Sequence, residues 1–267
     1  MIIPTDVKYE NLSFKVLYQV GLVTLENASK KNALTFQMIE DMNEVLDIVE
    51  QREDIRVLLF WGTEELFGAG ADISHGETPI TTAYESYHFS RRLQKTFARI
   101  HALSKPTIAA VAGYTLGGCL ELSMACDIRF ASENAKIGLP EVNLGSLPGA
   151  GGTQRLPRLV GLAKAKEIMF SGEYIGATEA ERIGLVNRVV KEGTLLAEAM
   201  EYAQKLVKKA PLSLAKIKDA VDNGSSLSID VALEYEAKCF ATLFGTADRE
   251  EGILAFNEKR EPEFTGK

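Results

Sequence analysis

Apolar residues along the first part of the chain follow two different patterns. Residues 14–18 and 20–25, on either side of Gln19, are rich in the β-branched and aromatic side chains that favour strands. From Thr35 onwards apolar residues return every three or four positions, as they do on one face of a helix. The pattern therefore predicts two neighbouring strands followed by an amphipathic helix.

Strand-like and helix-like segments then alternate until the last third of the chain. Nearly continuous apolar runs at 56–61 and 107–112 predict buried strands, and a further strand is predicted at 127–131. Helices are predicted at 84–103, 120–125, 153–170, 195–207, 212–221 and 229–244. An alternating first part and a helical last part predict one α/β core with a helical C-terminal appendage.

Composition narrows the class of protein. The chain has 267 residues, 46% hydrophobic and 25% charged, which is typical of a folded globular protein. A formal net charge of −7 without a concentrated Lys/Arg stripe argues against a nucleic-acid binder. The apolar runs are short, and residues 1–6 lack the features of a signal peptide. We therefore expect a soluble, cytoplasmic protein.

Metal and disulfide sites are not expected. The three cysteines are far apart and form no CxxC pair, which is typical of buried, reduced thiols: Cys119, Cys126 and Cys239. The three histidines are isolated and match no ligand spacing: His75, His88 and His101.

Two glycine-rich stretches follow predicted strands. Residues 67–73 contain small residues that let a backbone turn tightly and bring its N–H groups close to a ligand, although many such loops are only turns. Residues 113–121 run from a strand into a helix, whose N-terminal N–H groups favour negative charge. Glu121 lies one turn into this apolar helix. It either has a chemical role or else faces solvent or caps its own helix.

A third stretch covers residues 138–156 and is rich in glycine and proline. A dinucleotide-binding loop is a poor interpretation, because Gln154 stands where a third glycine would be needed and no strand precedes the loop. This excludes a nicotinamide dehydrogenase, and the glycines instead suggest a close approach to a neighbouring backbone. Glu141 is a second carboxylate without an evident partner in the sequence.

These three stretches, in this order and spacing, resemble the enoyl-CoA hydratase/isomerase (crotonase) superfamily, and enoyl-CoA hydratases most closely. The resemblance extends over residues 14–264 and includes further short matches at 32–34, 105–113, 125–127, 184–186 and 258–260. It implies an α/β fold in which residues 1–195 form a crotonase-like spiral of ββα units. Residues 196–267 would form a helical C-terminal trimerisation region, and such trimers often pair into hexamers.

The resemblance also implies roles for individual residues. The backbone N–H groups of Ala71 and Gly118 would hold the thioester carbonyl of an acyl-CoA substrate. Glu121 would act as the base on water and Glu141 as the proton donor at Cα, in a reaction of the kind used in fatty acid β-oxidation. No cofactor is implied beyond the coenzyme A of the substrate.

Coenzyme A contacts are implied along the chain. The resemblance assigns them to Lys30, Lys31, Ala69, Asp72, Ile73, Phe240 and Lys259. Phe240 and Lys259 would act across a subunit boundary, whereas the two lysines fit solvated turn residues equally well. Cys119 departs from the family's run of three glycines, and it would either fill space or narrow the acyl pocket.

Alternative functions remain, both among enzymes that share this fold and in other classes of protein. An enoyl-CoA isomerase or a specialised hydroxyacyl-CoA dehydratase would share the fold, but isomerases of the family often keep only one of the two carboxylates. RNA binding, known for a few members, conflicts with the net charge of −7. The acyl group is not revealed by the sequence, and the pocket that selects it is expected within residues 76–99.

Overall fold

The computed structural model describes residues 6–72 and 80–267. The strands are β1 (Asp6–Lys8), β2 (Leu12–Leu17), β3 (Val20–Leu25), β4 (Val57–Trp61), β5 (Leu66–Gly68), β6 (Thr107–Val111), β7 (Tyr114–Leu116), β8 (Ile128–Ser132), β9 (Lys136–Gly138), β10 (Ile175–Gly176) and β11 (Arg188–Val190). The α-helices are α1 (Phe36–Gln51), α2 (Ala83–Ala102), α3 (Gly117–Ala125), α4 (Gly152–Val160), α5 (Leu162–Ser171), α6 (Ala177–Arg182), α7 (Leu195–Val207), α8 (Pro211–Gly224), α9 (Ile229–Thr242) and α10 (Ala247–Glu258).

The larger sheet has the strand order β1-β2-β3-β4-β6-β8-β11. The first three strands pair antiparallel, and the remaining pairs are parallel. Because helices cover both faces of the parallel part, β4 and β6 are buried along their whole length. This burial explains the nearly continuous apolar runs in the sequence.

Alternate residues of the central strands enter two separate hydrophobic clusters. Leu58 and Phe60 of β4 join the cluster that contains the apolar face of α1. Leu59 and Trp61 face the opposite side, where α7 covers the sheet with Leu195, Ala199 and Ala203. The first helix of the predicted C-terminal region is thus a layer of the core, and the division at residue 195 stays a prediction.

A smaller sheet, with the order β10-β9-β7-β5, brings the three glycine-rich stretches together. Strands β5, β7 and β9 are parallel, so their carboxyl ends meet at one edge. The chain leaving β5 reaches Ala71, the chain leaving β7 enters α3 at Gly117, and the chain leaving β9 enters a 3₁₀ turn, Pro140–Leu144. Since β7 lies between β5 and β9, the start of α3 lies between the segment that follows β5 and the 3₁₀ turn that follows β9.

Most predicted elements are confirmed, with shifted bounds. Thr35 caps α1 by accepting a hydrogen bond from the Met38 N–H at 3.1 Å, as the change of period at this residue indicated. The stretch 153–170 is helical as predicted, but it forms two helices, because Gly161, with φ of 82°, separates α4 from α5. The very short strands of the smaller sheet and helix α10 had no prediction.

Among the helices of the described residues, none has the length and apolar character needed to cross a membrane.

Candidate active site

The N–H group of Ala71 points toward the start of α3. The Leu34 N–H donates to the Gly70 carbonyl at 2.8 Å, and the Asp72 N–H donates to the Leu34 carbonyl at 2.9 Å. In such a parallel bridge the residue between the two bonded groups directs its own N–H the other way. An ideal Cβ built on Gly118 would lie 3.2 Å from the Ala71 nitrogen, so the two segments are in direct contact.

The N–H group of Gly118 belongs to the first turn of α3. Groups in this turn have no carbonyl of their own helix to bond, and they carry the partial positive charge of the helix N-terminus. Gly117 makes the abrupt change from β7 to helix with φ of 50°, a left-handed conformation that favours glycine. The two backbone donors predicted from the sequence are therefore brought side by side.

Glu121 is buried within α3 and bonds the backbone of another segment. The residue is only 2% exposed. Its Oε1 accepts hydrogen bonds from the N–H groups of Ala150 at 2.8 Å and Gly152 at 2.6 Å. Because Gly152 is the first residue of α4, the carboxylate occupies the positive end of that helix. Glu121 therefore neither faces solvent nor caps its own helix.

The glycines before α4 allow this close approach. An ideal Cβ on Gly152 would lie 2.9 Å from Glu121 Oε1 and 2.8 Å from the Cβ of Pro148. The sequence analysis expected these glycines to allow a close approach to a neighbouring backbone, whereas the atoms closest to Gly152 belong to the side chains of Glu121 and Pro148. Ala150 and Gly152 are site residues that the sequence analysis missed, because a backbone N–H has no signature in a sequence.

Burial raises the pKa of Glu121 to about 7. The hydrogen bond from Gly152 acts in the opposite direction, the negative charge of Glu141 raises the pKa further, and Arg155 lowers it. The carboxyl group therefore exchanges its proton near neutral pH, which suits a group that takes or gives a proton during a reaction.

Glu141 approaches the N-terminus of α3 from the 3₁₀ turn after β9. An ideal Cβ on Gly117 would lie 3.0 Å from Glu141 Oε1 and 3.5 Å from the Cα of Gly70. Oε2 is buried and has no hydrogen-bond partner within the described residues. Burial raises the pKa of this carboxyl group as well. A carboxyl group that lies against the start of α3 with one oxygen and keeps the other buried and unpaired is suited to bind or protonate a ligand.

The turn that carries Lys30 and Lys31 is bonded to the loop of small residues that follows β5, residues 69–72, which we call the small-residue loop. Lys30 Nζ lies 2.7 Å from Asp72 Oδ2, and the Ala69 N–H donates to the Lys31 carbonyl at 2.9 Å. These four predicted coenzyme A contacts therefore lie together beside Ala71. Ile73 lies outside the described residues.

Phe240 and Lys259 are part of the C-terminal helices. Phe240 is 63% exposed, packs edge-on against Phe244 with ring centroids 5.0 Å apart, and lines a surface cleft with Arg249. Lys259 ends α10 in a left-handed conformation with φ of 56°. These contacts lie within the C-terminal region, so action across a subunit boundary stays a prediction for both residues.

Cys119 fills space behind the small-residue loop. Its Sγ lies 3.5 Å from the Asn32 carbonyl and 3.7 Å from the Gly70 carbonyl, and it would collide with a Cβ on Gly68. Burial raises the pKa of the thiol to about 12, which makes it a poor nucleophile. Of the two sequence interpretations, these contacts favour packing.

Comparison with known proteins shows which proteins this chain is similar to. The family model described as enoyl-CoA hydratase/isomerase matches residues 17–267. The chain is 42% identical to the short-chain-enoyl-CoA hydratase of Clostridium acetobutylicum, over 92% of this chain and 94% of that protein. It is 40% identical to the crotonyl-CoA hydratase of Syntrophomonas wolfei, over 97% of this chain and 99% of that protein.

Solved structures show the same fold. A crystal structure of an enoyl-CoA hydratase from Bacillus anthracis superposes with a TM-score of 0.92, at 35% identity, and covers 97% of this chain and 100% of that one. The predicted crotonase-like fold and the resemblance drawn from the glycine-rich stretches are confirmed. The chain belongs to the enoyl-CoA hydratase/isomerase family.

Proposed function

We propose that this protein is an enoyl-CoA hydratase, which reversibly adds water across the 2,3 double bond of a 2-enoyl-CoA to give a 3-hydroxyacyl-CoA. The observation that carries the proposal is the meeting of two carboxyl groups, the buried Glu121 and the half-buried Glu141, beside the N–H groups of Ala71 and Gly118. The hydratases at 40% and 42% identity support the reaction type.

The two backbone donors would stabilise the charge that develops on the thioester. When the oxygen of water attacks Cβ, electrons move through the double bond onto the thioester oxygen. The N–H groups of Ala71 and Gly118 would donate to this oxygen and stabilise the enolate more than the substrate. A donor of this kind contributes about 10²–10³ in rate.

The carboxyl pair would move the two protons of the reaction. Glu121 would take a proton from the attacking water, and Glu141 would give a proton to Cα. Because Glu121 Oε1 is held by two backbone N–H groups, Oε2 is the oxygen available to water. Hydration requires one carboxyl group of the pair to be ionised while the other is protonated. The raised pKa values of both groups favour that state near neutral pH.

Binding of coenzyme A would use the region beside the small-residue loop. Lys30, Lys31, Ala69 and Asp72 already lie there. Ile73 continues the same segment in sequence. Phe240 and Lys259 would cover the coenzyme from a neighbouring subunit, which requires a homotrimer or a dimer of trimers. A cytoplasmic location remains part of the proposal, and no cofactor is invoked.

Turnover of crotonyl-CoA tests the proposal. Glu121→Gln and Glu141→Gln should each reduce hydration by about 10²–10⁴, the usual contribution of a general acid or base. Glu53→Gln, at an exposed position before β4, is the matched control and should keep full activity. Full activity in either site variant would remove that residue from the mechanism.

Identification of the product separates hydration from isomerisation. A panel of 2-enoyl-CoA and 3-enoyl-CoA esters is analysed by mass spectrometry, and the 2-enoyl-CoA esters should give a product heavier than the substrate by one water molecule. The names of the two relatives make short, unbranched acyl groups the first choice for the panel. A product of unchanged mass from 3-enoyl-CoA alone would support the isomerase alternative instead.

A further inference from the structure

One peptide unit connects helix α2 to the Glu121 carboxylate. The N–H of the Gly149–Ala150 peptide donates to Glu121 Oε1 at 2.8 Å. The carbonyl of the same peptide accepts two hydrogen bonds from α2, one from Ser90 Oγ at 2.6 Å and one from Gln94 Nε2 at 2.8 Å. Both α2 residues lie in the stretch 76–99 where the acyl pocket is expected, but the sequence analysis assigned neither of them an individual role.

The hydrogen bonds around this peptide fix the direction of each donor. Gln94 Nε2 also donates to Ser90 Oγ at 3.1 Å, and Arg91 Nη1 donates to Gln94 Oε1 at 2.7 Å. Reversing the Gln94 amide would place its N–H₂ group against the Arg91 guanidinium. The hydroxyl of Ser90 receives a bond from Gln94, so its own hydrogen is directed to the carbonyl of Gly149.

We propose that Ser90 and Gln94 are positioning residues for Glu121, which hold the Gly149–Ala150 peptide so that its N–H faces the carboxylate. Two hydrogen bonds to a carbonyl oxygen polarise the peptide and strengthen its N–H as a donor. The clamp formed by these two side chains therefore stabilises the ionised form of Glu121. Its consequence for turnover rests on the proposed function of that residue.

Loss of the clamp has a defined electrostatic consequence. A weaker or misplaced N–H raises the pKa of Glu121 above about 7. The charged groups that face Glu121 are Glu141 from the 3₁₀ turn and Arg155 from α4, and the nearby Cys119 thiol is uncharged because burial raises its pKa to about 12. None of these groups is altered by substitutions on α2.

The test uses Ser90→Ala, Gln94→Met and the double variant, with Lys95→Ala at an exposed position of α2 as the control. Titration of ¹³C-labelled glutamate by NMR, assigned with Glu121→Gln, should show the pKa of Glu121 raised by about half a unit in each single variant and more in the double variant. Lys95→Ala should leave it in place, and Ser90→Thr, which keeps the hydroxyl, should restore it. An unchanged titration in both single variants would overturn the proposal.

The pH dependence of kcat distinguishes positioning from a general loss of structure. The clamp variants should move the acidic limb of the profile to higher pH while KM stays near the wild-type value. A uniform loss of rate at every pH, without movement of the limb, would contradict a positioning role. If the double variant does not fold, the two single variants carry the test, because each removes one donor to the Gly149 carbonyl without adding a charge.

The two proposals fail in different ways. The NMR titration of the unliganded protein needs no turnover, so it tests the clamp even if Glu121→Gln retains full activity. That activity would refute the catalytic role of Glu121 alone. A normal loss of activity in Glu121→Gln, combined with an unchanged carboxyl titration in the α2 variants, would refute the clamp alone.

Discussion

The Glu121 side chain joins three segments that are far apart in the sequence. It begins on α3, bonds the N–H groups that precede and start α4, and is coupled electrostatically to Glu141. Taking a carboxylate out of water costs free energy unless hydrogen bonds and local dipoles replace the lost hydration. Two N–H groups and a helix N-terminus do so only in part, which leaves the pKa raised.

Glu121→Gln is expected to change how the stability of the protein depends on pH. The folded-state pKa of about 7 exceeds the value in the unfolded chain, so the unfolded chain loses this proton at lower pH. The contribution of the group to stability is fully present below about pH 4, and it falls by up to about 1.4 kcal/mol per pH unit until pH reaches the folded pKa. Glutamine does not titrate and lacks this loss.

Urea unfolding at pH 5 and pH 8 measures this difference. The unfolding free energy of Glu121→Gln relative to the wild type should increase by about 2 kcal/mol between the two pH values. The exposed control Glu53→Gln should show no such increase. An equal difference at both pH values would mean that Glu121 is ionised in the folded protein throughout this range.

At the scale of single elements, helix α3 presents its N-terminus to the candidate site and is held at its C-terminus by a residue outside it. All nine of its residues are buried. Its N-terminus presents the donors of the candidate site, and at its C-terminus the buried Arg129 donates through Nη1 to the carbonyls of Ser123 at 3.1 Å and Cys126 at 2.6 Å. A third bond, from Arg129 Nε to the Leu185 carbonyl at 2.8 Å, ties the helix end to the segment before β11.

Arg129→Met is expected to lower the unfolding free energy by about 2–4 kcal/mol, because three carbonyl groups would lose a charged donor. Methionine keeps most of the apolar volume, so the change isolates the hydrogen bonds. Denaturant unfolding checks the prediction, with Lys205→Met on the exposed face of α7 as the control. A loss below about 0.5 kcal/mol would show that the carbonyls find other donors.

At the scale of the whole molecule, the C-terminal helices and the turn between α9 and α10 expose many large apolar side chains. They include Leu212, Ile217, Val221, Ile229, Val231, Leu233, Phe240, Phe244, Ile253, Leu254 and Phe256. An isolated chain with this much exposed apolar surface would associate, since such patches mark interfaces. The surface agrees with the proposed homotrimer, in which these helices would meet between subunits.

Phe256→Asp is expected to weaken this association. The side chain is 83% exposed on α10, so it adds little to the folding of one chain, whereas a buried carboxylate in an interface is costly. Light scattering after gel filtration should give a trimer or hexamer for the wild type and a smaller mass for the variant. Lys15→Asp on β2 should leave the mass unchanged, and a wild-type monomer would contradict the trimer itself.

The sequence by itself determined the elements whose apolar pattern is regular. β3 was predicted from its β-branched side chains, β4 from the continuous apolar run that burial on both faces of a sheet imposes, and α1 from the period of a helix buried on one face. The resemblance also marked Ala71, Gly118, Glu121 and Glu141, since their short motifs carry local signals. Family and fold followed from those motifs, and the comparisons confirm both.

Only the tertiary structure decided what these residues contact. The three parallel strands β5, β7 and β9 are too short to produce a pattern, yet their common edge brings Ala71, Gly118 and Glu141 together. The bonds from residues 150 and 152 to Glu121, and the clamp on α2, join positions about 30–60 residues apart in the chain. Such contacts leave no period in the sequence, because packing between distant elements sets them rather than local conformational preference.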